Sequence, residues 1–125
     1  MLLPAVLVYS PHMYKLIFFV PAEHAEAVKQ AVFDAGAGRY RNYDWCSWQT
    51  VGTGQFRPLA GADPFIGTVG EIETVPELRV ETICEDRRVR AAVEALLAAH
   101  PYEEPAYGLV RIHTIDDLPA DAGLT

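Results

Sequence analysis

Serine is almost missing from this 125-residue chain. Ser10 and Ser47 are the only two, and neither sits in a GxSxG turn, so the nucleophile elbow of a serine hydrolase is excluded. Cysteine is as scarce. Cys46 and Cys84 are too few for a disulfide framework and lack CxxC spacing. The four histidines, His12, His24, His100 and His113, are dispersed, with no HxH, HH or HExxH grouping. Positive charge is the minority: 10 basic against 17 acidic side chains leave a net −7. Such a surface repels phosphate backbones, so nucleic acid is not an expected partner. There is no basic cluster for anionic lipid either. Long apolar runs are also lacking. The opening "MLLPAVLVYSPH" has no basic leader, is interrupted by Pro4, and is too short to cross a bilayer. No membrane role is expected.

What remains is an ordinary globular composition, half apolar and 22% charged, in a length that suits one domain. We expect a single domain over residues 13–115 and a polar tail over 116–125. Residues 1–12 read as an accessory arm, or as a segment preceding a natural start at Met13. Both cysteines fall in strand-like runs, where a free thiol serves as a small core residue. Two unpaired cysteines fit a reducing, cytoplasmic location.

"MYKLIFFVP" (residues 13–21) is an apolar, β-rich run ended by Pro21, which predicts a central strand. In "AEHAEAVKQAVFDAGAG", Ala25, Val28, Val32 and Ala35 recur at helical spacing before Gly36 and Gly38. Residues 42–59 are rich in aromatics and β-formers, and Gly52 and Gly54 inside them predict a bulge. "AGADPFIG" is turn chemistry. In residues 68–85, Leu78, Val80, Thr82 and Cys84 alternate with Arg79, Glu81, Ile83 and Glu85, a half-buried strand in which Pro76 predicts a kink. A second helix follows over 86–100, capped by Glu85 or Asp86, with Val89, Val93, Leu96 and Leu97 as its buried stripe. Residues 106–115 form the last strand. The order is strand, helix, strand, strand, helix, strand. That is a ferredoxin-like α+β fold, βαββαβ: a four-stranded antiparallel sheet, both helices on one face, and a long bent second hairpin. Tyr43, Trp45, Trp48, Phe56 and Phe65 crowd the hairpin, and so much apolar surface near an uncovered sheet predicts self-association. Trp45 and Trp48 lie three apart in the presumed strand, so one is expected in the core and the other at an interface.

Two stretches carry candidate chemistry. "HPYEEPAY" (residues 100–107) places His100, Glu103 and Glu104 close together, and imidazole with carboxylate suits zinc or copper. The same string has a plainer reading, which we prefer. Pro101 stops the helix, Tyr102 anchors the loop, and Pro105 aligns the last strand. "VGTGQFRP" offers Gly52, Gly54 and Arg57 to an anion or nucleotide, with Trp48 to stack on a ring. It is not a GxxxxGK[ST] loop and no helix follows it, so a strand bend is the preferred explanation.

"HPYEEPAY" after the second helix is similar to the HPYE-x-P segment that ends CutA proteins. Those are ferredoxin-like trimers related in architecture to PII signalling proteins. Together, "MYKLIFFVP", "GAGRYRNYDWCSWQTVGTGQFRP", "DPFIG" and "HPYEEPAY" resemble the insert domain of the Nif-three-like (NGG-one-interacting factor) family over residues 13–112. The resemblance implies the insert standing alone. Full members look like dinuclear metal hydrolases whose ligands lie in the flanking halves, so the insert carries no catalytic residues. It implies a non-catalytic, homo-oligomeric binding or regulatory module, a trimer by analogy with CutA, with a Nif-three-like protein as partner. The alternatives are a CutA-type divalent-metal protein using His100, Glu103 and Glu104, and an intersubunit sensor of small anions or nucleotides using Arg57.

Overall fold

The computed structural model describes residues 12–121. The expected arm therefore lies outside the described residues apart from His12, as does the tail beyond residue 121. Four strands and two helices follow in order: β1 (Met13–Pro21), α1 (Ala22–Asp34), β2 (Ser47–Phe56), β3 (Glu73–Glu85), α2 (Asp86–Ala99) and β4 (Tyr107–Ile112). The sheet order is β2-β3-β1-β4 with every pair antiparallel. This is the ferredoxin-like arrangement. Met13 pairs with Glu85 on one side and with Ile112 on the other, so the first strand begins where the last one ends.

Period-two alternation builds the core. Leu16, Phe18 and Val20 of β1 and Leu78, Val80 and Cys84 of β3 point to the helices and are buried. Ala25, Val28 and Val32 of α1 meet them, with Ala92 and Leu96 of α2. Thr82 sits in the same row. Its hydroxyl is satisfied by donating to the Cys46 carbonyl at 2.7 Å. Removing a ring from the centre of such a cluster, as in Phe18→Ala, costs about 3–5 kcal/mol.

The opposite face is open and its centre is charged. Lys15 Nζ lies 3.1 Å from one Glu81 oxygen and Arg79 Nε lies 3.2 Å from the other. The Lys15 hydrogen bond leads in holding the Glu81 carboxyl below its usual range, against partial desolvation, and Arg79 adds to it. Trp48 and Thr50 of β2 stand opposite Glu81 and Arg79, which places them on this face.

Several local expectations are corrected. The second strand begins at Ser47, because Arg41 and Trp45 take left-handed backbone angles (φ 53° and 57°) that no strand accommodates. The pairing of β2 with β3 runs one to one through Gly52 and Gly54, so neither makes a bulge. Pro76 does not break β3. It pairs opposite Thr53, and the register with β1 ends one residue later, at Glu77, so its missing N–H interrupts no ladder there. Glu85 stands at the start of α2, but its carboxylate goes to Arg87 at 3.2 Å and neither it nor Asp86 caps the helix. Leu97 is exposed, and Ala92 takes its place in the buried stripe. Trp45 and Trp48 are both more than half exposed, with Trp45 leaning on Phe33 at 5.2 Å, so neither is core. Cys84 is buried, whereas Cys46 is only half-buried, just before the start of β2.

Candidate functional site

The end of α2 shows what the HPYEEP segment does. Pro101 stops the helix, and His100 at its C-terminal cap turns extended and buries its ring. Its Nε2 lies 2.7 Å from the Phe19 carbonyl, and its Nδ1 accepts the Tyr102 N–H at 3.0 Å. Nδ1 must offer a lone pair to that N–H, so Nε2 carries the proton and donates it to Phe19. Phe19 gives its own N–H to the Ala106 carbonyl at 3.1 Å, just beyond the last β1–β4 pair. The imidazole thus continues the hydrogen bonding of β1 where β4 has run out. Burial lowers the His100 pKa, opposed by the Phe19 bond, and the ring is kept neutral.

Above His100 the chain forms a cavity of about 430 Å³. Three separate stretches wall it: the end of β2 and the loop beyond it (residues 55–66), Glu77 of β3, and residues 102–106. Tyr102 is its central ring. It stacks at a tilt on His100 at 4.9 Å and faces Phe56 at 6.2 Å and Phe65 at 6.3 Å, and Phe65 meets His24 of α1 edge-on at 5.5 Å. The Tyr102 hydroxyl is buried, with the Glu77 carboxylate facing it. Its pKa is pushed up by burial first, then by Glu77 and Glu23. Glu103 is pinned by one oxygen, Oε2, which accepts the Asp63 N–H at 3.0 Å and ties the hairpin loop to the helix exit.

The two sets of sequence candidates partly converge here. Arg57, Glu103 and Glu104 all line the cavity, while His100 lies beneath it with both ring nitrogens engaged. Among the described residues no three His, Cys, Asp or Glu side chains gather in a group suited to a metal ion. Trp48 and Gly52 sit further along β2, outside the lining. Gly54 matters indirectly: a Cβ there would collide with the Glu77 carboxylate, so the glycine gives Glu77 its place beside the cavity. Glu77 and Phe65 escaped sequence reasoning as site residues. The first was singled out by no pattern, and the second fell within the AGADPFIG turn.

No protein-family model matches the chain. It is 48% identical to the GTP cyclohydrolase 1 type 2 homolog of Mycobacterium leprae over 110 residues, 88% of this chain and 28% of that protein. The chain therefore spans well under half the length of such relatives. Among solved structures, the Bacillus cereus protein related to NIF3 superposes with a TM-score of 0.74 at 40% identity, over 85% of this chain and 27% of that one. The CutA divalent cation tolerance protein of Archaeoglobus fulgidus matches at 0.60 and 15% identity, over 82% of this chain and 85% of its own, which speaks to fold alone. The sequence identity and the superposition agree: over most of its length the chain matches a segment of Nif-three-like proteins, and that segment has the CutA-like fold.

Proposed function

We propose that this chain is a non-catalytic assembly module that joins copies of itself, a trimer in its simplest closed form, and so organises the remainder of a Nif-three-like protein in the cytoplasm. One observation carries the reading. Strand β2, SWQTVGTGQF, is a sheet edge ten residues long, exposed along its first seven residues, and it holds no charged residue and no proline. Sheet edges that face water for good are protected by lysine, proline, bulges or covering loops. An edge without lysine, proline or a bulge is a template for another strand. Among the described residues the other free edge is β4, also largely exposed. Pairing β2 of one copy with β4 of the next is heterologous, and such contacts close into rings when the rotation between copies divides a full turn. The charged centre of the open face argues that contact runs through the edges and the exposed Trp48 rather than through a greasy sheet face.

Val51, three-quarters exposed in the middle of β2, supplies the test. Light scattering of the protein at micromolar concentration is expected to give three times the chain mass. Val51→Lys, which places an edge charge, is expected to give a monomer with unchanged circular dichroism. A wild-type monomer would overturn the reading, and so would a Val51→Lys protein that is folded and still fully assembled.

A further inference from the structure

The cavity above His100 has a definite electrical sign. Among the described residues, Glu77, Glu103 and Glu104 share its lining with a single cation, Arg57. Three aromatic rings, Phe56, Phe65 and Tyr102, stand within 6.3 Å of one another through Tyr102. Glu103 keeps Oε1 free of the bond that fixes its other oxygen to Asp63. Gly54, lacking a side chain, leaves the room that the Glu77 carboxylate occupies beside the wall. The raised pKa of the Tyr102 phenol, where Glu77 and Glu23 reinforce burial, registers the same negative field. An anion entering here would meet three carboxylates for one guanidinium.

We propose that this cavity binds a small organic cation, an ammonium or guanidinium group carried on an apolar body. The charged head pairs with Glu77 and Glu103, and the body lies against Phe56, Phe65 and Tyr102. Aromatic faces attract a desolvated cation, and carboxylates strengthen the bond to its N–H groups. A space of about 430 Å³ lies within the size range of small-molecule pockets, which combine apolar walls with a few placed polar groups. The cavity is built within one chain, so this binding does not rest on the assembly reading.

The probe is phenethylammonium, compared with its neutral analogue phenethyl alcohol and its anionic analogue phenylpropionate, each followed by amide NMR on the full chain. Saturable shifts at Gly54, Phe65 and Tyr102 are expected with the ammonium, which should bind about tenfold or more tightly than the carboxylate. Glu77→Gln and Glu103→Gln are each expected to weaken it about tenfold while leaving other resonances in place. Gly54→Ala, a change at a residue that touches no ligand, should weaken it by displacing Glu77. The proposal is overturned if phenylpropionate binds as well as phenethylammonium. It is equally overturned if the amides stay silent at about 10 mM ammonium, far above the affinities of built pockets, or if both glutamine variants bind like the wild type.

Discussion

Replacing His100 with alanine separates a structural histidine from a metal ligand. The substitution removes two hydrogen bonds, at 2.7 Å to the Phe19 carbonyl and at 3.0 Å from the Tyr102 N–H. Both backbone groups then lack a partner in a region the ring had kept dry, and each such group costs about 1–3 kcal/mol. The lost ring volume adds to this, so His100→Ala is expected to cost about 3–5 kcal/mol. That is a large part of the ~5–15 kcal/mol typical of a whole domain. Urea unfolding followed by the fluorescence of Trp45 and Trp48 measures it. With a slope of about 1–3 kcal/mol per molar for a small protein, the midpoint should fall by at least about 1 M. The reasoning is refuted by a loss under about 0.5 kcal/mol. It is also refuted if a chelator lowers the wild-type midpoint by the same amount and leaves His100→Ala untouched, for then a metal, not two backbone groups, would be the partner of the ring.

Three further outcomes are open to measurement. Because burial lowers the His100 pKa below its ordinary 6.5, the native state favours the neutral ring; the stability this contributes is full above about pH 6.5 and is lost as pH falls below it, a dependence that urea midpoints across pH should show and His100→Ala should flatten. The Cys84 thiol is buried and pushed up to about 11, by burial and then Glu85, so iodoacetamide at about pH 8 should alkylate Cys46 alone in native protein and both thiols in urea, read by peptide mass; equal native labelling would count against the packing described. Gly38 has φ 81° and a Cβ there would stand 2.8 Å from the Phe33 ring, so Gly38→Ala should cost about 2–4 kcal/mol by denaturant titration, from left-handed backbone and overpacking together.

The parts of the fold that could be read from sequence are those in which neighbours in the chain share one environment. The nearly unbroken apolar run of β1, the helical spacing of Ala25, Val28 and Val32, and the alternation through Leu78, Val80, Thr82 and Cys84 each repeat a single physical instruction. The segment from Asn42 to Cys46 misled because its aromatics mimic a strand. A tight turn holds it instead: Tyr40 and Tyr43 exchange backbone hydrogen bonds at 2.9 and 3.0 Å, the Cys46 N–H donates to the Gly38 carbonyl at 2.9 Å, and Trp45 rests on Phe33. Val89 and Val93 were rightly assigned to the packed side of α2, whereas Leu97 lies a rotation away from Leu96 and faces out. The cavity was legible only in fragments. Arg57 and Glu103 were noticed for opposite reasons, and nothing in the local patterns tells that Glu77, twenty or more residues from either, stands beside them.

The side-by-side pairing of Met13 and Ile112 has an architectural corollary. Paired residues on adjacent antiparallel strands have their Cα atoms about 5 Å apart. A polypeptide can therefore enter this unit and leave it through what amounts to a single point. Such a unit splices into a surface turn of a host protein without prying the host apart. Evolution could thus lengthen, trade or excise it as a cassette, leaving the scaffold around the splice undisturbed.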